Sequence, residues 1–171
     1  MNGCPRTTGA RALLRLCAQR GLTVATAESC TGGLIAKRLT DLAGSSAVFC
    51  GGLVTYTNEL KMRLLGVSEE ILRLESEVSP ACAMAMADGA RARTGADLAV
   101  STTGFAGPGG GNDRDRVGTV YIAVSSRERT VCERFLAPVG STRAEVRRLA
   151  AARAIALLCE AAQSSERQVD R

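Results

Sequence analysis

The chain has 171 residues, of which 46% are hydrophobic and 23% charged, which suits one domain and excludes a largely disordered chain. No apolar run approaches the roughly 18 residues that a membrane span requires, so we expect no membrane partner. The formal net charge of +5 is dispersed and aromatic residues make up only 3%, so we also expect no nucleic-acid partner.

Apolar spacing and turn residues predict alternating helices and strands in the first half of the chain. In order, the predicted elements are a helix at 9–20, a strand at 22–27, a helix at 34–43 and a strand at 46–56. The Gly51-Gly52 pair inside the second strand predicts a bulge or a close approach to a neighbouring group.

The second half continues the alternation and adds a hairpin. The predicted elements are helices at 58–65, after Ser68, from Pro80 to Arg93 and from Thr142 to about Ala162, a strand at 96–104, and hairpin strands at 117–125 and 130–136. Ser79 before Pro80 is typical of a helix start, and Thr142 with Glu145 forms a capping-box pattern. The order predicts an α/β fold: a single three-layer domain over residues 1–171, with a mixed β-sheet, flanking helices and one β-hairpin. Its core would cover about 8–163, with a frayed tail at 164–171.

The stretch AESCTGG, residues 27–33, lies where a strand gives way to a helix. At the positive end of that helix, free backbone N–H groups can hold an oxyanion or a phosphate, which makes Ser29 a candidate nucleophile. Cys30 competes for this role, since a thiolate is the better nucleophile, and a Glu-Lys-Cys arrangement would use Glu28 and Lys61. On this segment alone, a simple helix cap also stays open.

Lysine is rare in this chain: of 22 basic residues only Lys37 and Lys61 are lysine. Arginine does not lose its proton at usable pH, so among the basic residues only a lysine could act as a general base. Lys61 lies in VTYTNELK, on the first turn of a predicted helix, with Tyr56 just before it. A buried Lys61 with a lowered pKa could accept the proton of Ser29, and Tyr56 could assist it. A surface lysine beside Glu59 is the alternative.

Two further segments have the composition of a ligand-binding site. The loop TGFAGPGGG at 103–111 can leave backbone N–H groups free to hold a phosphate or an amide oxygen. Arg143 begins the last predicted helix, where guanidinium and helix dipole could bind an anion together, and Arg147 lies one turn further on the same face.

The seven cysteines are scattered without a C-x-x-C pair. Without histidine, the usual zinc ligand sets cannot form, so we expect no metal. Most thiols should be reduced core residues. The N-terminus has no charged-then-apolar signal pattern, which predicts a cytoplasmic protein.

Together these segments resemble the CinA C-terminal family, the nicotinamide-mononucleotide deamidases. The similarity rests on TAESCTGGLIAKRLTDLAGSS, GGLVTYTNELKMRLLGV, EVS, TGFAGPGGG, VGTVYIAV and TRAEVR, in that order. It implies a stand-alone domain, a homodimer, and hydrolysis of nicotinamide mononucleotide to nicotinate mononucleotide and ammonia without metal or cofactor. It also implies Ser29 as nucleophile, Lys61 as base and Tyr56 as its assistant.

Several residues are then expected to bind the substrate. Amides near Thr31, Gly32 and Gly33, or in the loop with Gly104, Gly107, Gly109 and Gly110, would hold the oxyanion, and Arg143 would hold the 5'-phosphate. The chain departs from the family at Ser76-Glu77, where Gly-Ala is usual, and at Asp115-Arg116, where Lys-Pro is usual. Two other functions stay open: an amidase acting through Cys30 on another small amide, and a nucleotide-binding module without turnover.

Overall fold

The computed structural model describes residues 9–165, so Cys4 and residues 166–171 of the predicted tail at 164–171 lie outside the described residues, whereas Ser164 belongs to the last helix. The helices are α1 (Ala10–Arg20), α2 (Leu34–Thr40), α3 (Asn58–Leu65), α4 (Glu69–Leu74), α5 (Pro80–Thr94) and α6 (Arg143–Ser164). The strands are β1 (Val24–Glu28), β2 (Phe49–Val54), β3 (Leu98–Gly104), β4 (Thr119–Ser125) and β5 (Thr130–Leu136). Within this range no helix is both long and apolar enough to cross a bilayer.

The five strands of the described residues form one sheet in the order β2-β1-β3-β4-β5. β1 pairs in parallel with both β2 and β3, whereas β4 is antiparallel to β3 and to β5. The hairpin pairs Ser125 with Thr130 at its closed end. The predicted mixed sheet and hairpin are therefore confirmed.

Helices cover both faces of the sheet, which confirms the three-layer arrangement. One core combines Val24, Val100 and Ile122 of the sheet with α1, α2 and α6. Their sequence neighbours point to the other face, where Ala25 and Ala99 pack with α3 and α5. Alternation of successive side chains along a strand is the reason that both faces are buried.

The second strand is shorter than predicted. Ser45–Ala47 form a 3-10 turn, and β2 begins only at Phe49 and ends at Val54. The predicted irregularity at the glycine pair is confirmed, because the register with β1 shifts between Val24 and Ala25. A side chain at Gly52 would come within 2.5 Å of Thr26 Oγ1, so only glycine fits there.

Helix caps follow the sequence pattern closely. The Ser79 hydroxyl accepts from the amide of Cys82, and Pro80 is the first helical residue of α5. Thr142 and Glu145 form the predicted capping box at the start of α6. α2 ends at Thr40, three residues earlier than predicted. The six described cysteines are free, and four of them are buried, as expected of core thiols.

The topology brings distant segments to one edge of the sheet. The carboxyl ends of parallel strands meet at the same edge, and here β1, β2 and β3 are parallel. β5 runs antiparallel to β4 and so ends at this edge too, just before α6 begins. The segments around Ser29, Tyr56, Gly104 and Arg143 therefore converge.

Candidate active site

A cavity of about 360 Å³ lies at this edge. Five of the predicted site residues line it: Ser29, Tyr56, Lys61, Gly104 and Arg143. These residues come from four separate parts of the chain, spread over more than 100 positions. The structure thus places the predicted nucleophile and the predicted base in one cavity of a size suited to a small molecule.

Ser29 follows the last residue of β1 and is held in a tight turn. Its amide donates to the carbonyl of Thr102 at 2.9 Å, and its own carbonyl accepts from the amide of Gly32 at 3.0 Å. The side chain is mostly buried, with 8% of the residue exposed. The hydroxyl is therefore presented from a fixed backbone.

The helical amides at the N-terminus of α2 already have partners within the protein. Gly33 at the cap has no side chain to accept a hydrogen bond. Instead the fully buried Glu28 accepts from the amides of Ile35 at 3.1 Å and Ala36 at 2.9 Å. The two other amides of the first turn donate to backbone carbonyls, at Thr31 and Gly33. Glu28 thus occupies the positive end of the helix, which removes it as the acid of a Glu-Lys-Cys site.

Thr31 and Arg147 are in direct contact, on the side of the serine turn that faces α6. Thr31 is fully buried, and its hydroxyl lies 2.7 Å from that of Thr102. Arg147 donates through Nη2 to the carbonyl of Thr31 at 2.7 Å, so it holds the serine turn against α6 rather than facing the cavity with Arg143. Thr31, Gly32 and Gly33 do not line the cavity, so these residues could act on a ligand only through their backbone groups.

Lys61 is the largest fully buried side chain of the described residues, with 2% exposed. Burial lowers the pKa of its ammonium group, while Cys82, Glu77 and Cys30 act in the opposite direction. It belongs to none of the ion pairs within residues 9–165. Burial thus shifts Lys61 toward the neutral form, which is the form that accepts a proton.

Cys30 lies next to Ser29 in the chain, and the pKa of its thiol is raised, whereas that of Lys61 is lowered. Burial raises the pKa of its thiol to about 12, even though Lys61 acts to lower it. The thiolate is the nucleophilic form of cysteine, and this site disfavours it. The geometry therefore supports the hydroxyl over the thiol.

Tyr56 is paired with Arg143 rather than with Lys61. Arg143 donates through Nη2 to the Tyr56 hydroxyl at 2.7 Å and through Nη1 to the carbonyl of Gly107 at 2.7 Å. Tyr56 is 56% exposed, at the mouth of the cavity. The predicted direct support of the lysine by this tyrosine is absent here, because the hydroxyl is turned to the guanidinium.

Gly104 at the end of β3 and the glycines of the loop that follows have mainly conformational roles. A side chain at Gly104 would overlap the backbone of Thr119 on β4. Gly107 and Gly110 have φ values of 83° and 99°, which favour glycine. Gly107, Gly109 and Gly110 do not line the cavity, although the carbonyl of Gly107 binds Arg143.

Comparisons with known proteins agree with this fold. The sequence model of the CinA C-terminal domain matches residues 6–162. The chain belongs to the CinA C-terminal domain family. It is 60% identical to a CinA-like protein of Geobacter sulfurreducens over 116 residues, which are 68% of this chain and 28% of that protein. It thus spans less than a third of that curated relative.

Solved structures of the CinA family cover nearly the whole domain. The competence/damage inducible protein CihA from Agrobacterium tumefaciens shares 43% identity and a TM-score of 0.84, covering 91% of this chain and 93% of that one. A CinA superfamily protein from Klebsiella pneumoniae shares 35% identity and a TM-score of 0.87, covering 91% and 96%. The α/β arrangement is therefore that of the CinA superfamily.

The departure from the usual CinA pattern at Asp115-Arg116 lies away from the cavity. Asp115 is buried and accepts from the Tyr121 hydroxyl at 3.0 Å and from Arg134 Nε at 2.8 Å. Arg116 donates to the carbonyls of Val117 and Ala137. Neither residue lines the cavity, so their charges are engaged within the loop and hairpin.

Three residues of this CinA domain have roles that its sequence motifs do not indicate. Glu28 caps α2. The sequence signal for this role was Gly33, which has no side chain and leaves the cap of the helix to another residue. Arg147 supports the serine turn, a contact that no local pattern indicates. Glu77 lines the cavity. Within residues 9–165 no three potential His, Cys, Asp or Glu metal ligands cluster.

Proposed function

We propose that this CinA domain hydrolyses the carboxamide of nicotinamide mononucleotide to nicotinate mononucleotide and ammonia. The observation that carries the proposal is Lys61, a buried amine with a lowered pKa and no ion-pair partner among the described residues, lining the same cavity as Ser29. An amine shifted toward its neutral form can act as the base for a hydroxyl that lines the same cavity.

The reaction begins with transfer of the Ser29 proton to neutral Lys61 as the oxygen attacks the carboxamide carbon. The amides of Cys30 and Ala106 donate to no carbonyl within residues 9–165, and both residues line the cavity. They are our candidates for the donors that hold the oxyanion, a role for which one donor is typically worth about 3–4 kcal/mol.

Collapse of the tetrahedral intermediate breaks the carbon–nitrogen bond. The protonated Lys61 returns its proton to the leaving nitrogen, so ammonia departs and a nicotinyl ester of Ser29 remains. Water then attacks this ester with Lys61 again as base, and the Ser29 oxygen recovers the proton as nicotinate mononucleotide leaves. Each half-reaction returns the lysine to its neutral form.

Arg143 would hold the phosphate of the mononucleotide. Its guanidinium is already fixed at the cavity by Tyr56 and Gly107, and an arginine fork matches phosphate oxygens well. The cavity volume of about 360 Å³ lies at the lower end of the range for small-molecule sites, as a mononucleotide requires.

Measurement of ammonia release from nicotinamide mononucleotide and a panel of simple amides tests the proposal. Ser29→Ala should lower kcat/KM by at least about a thousandfold, because it removes the nucleophile. Cys30→Ala is the matched neighbour and should have a mild effect, since only its backbone takes part.

Other outcomes would identify the alternatives. Loss of activity in Cys30→Ala with retention in Ser29→Ala would assign the reaction to the thiol. Faster ammonia release from another amide would change the substrate. Binding of the mononucleotide without any ammonia release would make the domain a nucleotide-binding module.

A further inference from the structure

Glu77 is the one carboxylate among the residues that line the cavity, all of which lie in the described part of the chain. The mechanism above leaves it without a task. The cationic groups at the cavity are Lys61 and Arg143. Burial lowers the pKa of Lys61 while Glu77 acts against that shift, so Arg143 is the cation at the cavity that stays charged at any usable pH.

The segment that carries Glu77 is anchored to the sheet and to α5. The Thr103 hydroxyl on β3 donates to the Glu77 carbonyl at 2.6 Å, and Val78 beside it is buried. Ser76 donates its hydroxyl to Glu77 Oε2 at 3.2 Å and accepts from the amide of Val78 at the same distance. Backbone and side chain are thus both held at the cavity wall.

The two charges do not neutralise each other. No ion pair joins Glu77 to Arg143 within residues 9–165, since Arg143 binds Tyr56 and Gly107 instead. Each charge is therefore available to a ligand. A ligand with separated opposite charges is complementary to such a cavity, whereas a purely anionic ligand is opposed by Glu77.

We propose that Glu77 makes this site select amides carried on a cationic ring over neutral rings of the same shape. The inference rests on the proposed function, because an oxidised pyridine nucleotide has a positively charged ring and a negatively charged phosphate. Arg143 takes the phosphate and the Glu77 carboxylate stabilises the ring charge. Glu77 is a specificity determinant and takes no part in proton transfer.

The test compares two ligands that differ chiefly in ring charge: nicotinamide mononucleotide and its reduced form, whose dihydropyridine ring is neutral. Dissociation constants are measured by calorimetry in the Ser29→Ala background, so that neither ligand is turned over. Glu77→Gln should reduce the preference for the oxidised ligand by about fivefold, the range of a solvent-exposed charge pair. The ratio of the two dissociation constants is unaffected by changes that weaken the binding of both ligands equally.

Glu75→Gln is the matched control, because Glu75 lies two residues away and does not line this cavity. It should leave the ratio unchanged. An unchanged ratio in Glu77→Gln, an equal fall in Glu75→Gln, or no binding of either ligand would each overturn the inference.

Ammonia release by the wild-type protein separates this inference from the proposed function. If ammonia is released but the ratio does not respond to Glu77→Gln, only the role of Glu77 is wrong. If the ratio responds but no ammonia is released, Glu77 is upheld as a determinant of ligand charge and the hydrolase proposal fails.

Discussion

Lys61 combines two properties that oppose each other in a folded protein: a chargeable amine and 2% exposure. Burial lowers its pKa in the folded state, whereas the unfolded chain exposes it to water at an ordinary pKa of about 10.4. Between these two values the unfolded state binds more protons, so the lysine's contribution to the free energy of unfolding rises with pH. It is lost as the pH falls through the lowered pKa.

Replacement of Lys61 by methionine should therefore abolish ammonia release and raise stability. We expect the free energy of unfolding at neutral pH to increase by about 1 kcal/mol, or roughly 3 °C in Tm, because the buried amine no longer has to be accommodated. The gain should be largest at acidic pH and should shrink as the pH approaches about 10. Thermal melts across this range, with the activity assay, measure both effects.

Lys37 provides the control, since it is the other lysine of the chain and is exposed in an ion pair with Asp41. Lys37→Met should keep activity and change stability little, because exposed pairs contribute about 0–1 kcal/mol. Wild-type kcat/KM should fall on acidification as Lys61 becomes charged. Activity retained by Lys61→Met would contradict its role as base.

The sequence predicted the location of some residues better than the contacts of others. Ser29 and Lys61 stood out by type and position, and they do share a cavity. Tyr56 was expected to assist Lys61 but accepts from Arg143, and no partner was predicted for Arg147. Long side chains bond to groups that the fold brings near, and that depends on α6 packing against a segment more than 80 positions away. The catalytic and binding roles themselves stay predictions.

At the scale of elements, the contact between α3 and α5 is set by one glycine. Gly89 lies inside α5, and a side chain there would overlap the backbone of Leu65 at the end of α3. Lys61 is on α3 too, so this close contact helps to set the depth of its burial. Glycine in a helix interior is unfavourable by about 1 kcal/mol relative to alanine, so packing decides its presence here.

Gly89→Ala should destabilise the domain despite its better helix propensity. Overlap with backbone forces α3 and α5 apart, which we expect to cost about 2–3 kcal/mol in chemical denaturation. Gly109→Ala is the comparison, because nothing lies within 4 Å of a side chain there, and its free energy of unfolding should stay within about 0.5 kcal/mol of wild type. An unchanged or increased stability of Gly89→Ala would disprove this close packing.

Element boundaries were predictable where the signal is local. Ser68, Ser79 and Thr142 cap helices as predicted, since a cap depends on residues within three positions. The predicted start of β2 was wrong, because the 3-10 turn at Ser45–Ala47 precedes the strand. Strand pairing with β1 decides where extended backbone begins. Pairing is not local in sequence.

At the scale of the whole molecule, the homodimer stays a prediction, based on the family resemblance and the alanine-rich helices. Sedimentation equilibrium should give about twice the chain mass of 17.8 kDa at micromolar concentration. Dilution should show whether the association is reversible, and Lys37→Met, with an exposed change far from the core, serves as a control for charge effects. A mass of one chain throughout the concentration range would contradict the prediction.

The sequence by itself determined the alternation of helices and strands, the caps, and the residue types that meet at the carboxyl edge of the sheet. These follow from short-range patterns of burial and hydrogen bonding. Only the tertiary structure decided that Glu28 caps α2, that Arg143 binds Tyr56, and that Glu77 faces the cavity. Such contacts arise because β1 lies between β2 and β3 in the sheet and because α6 packs against these segments. No local sequence pattern shows which distant groups the packed layers bring within hydrogen-bonding distance.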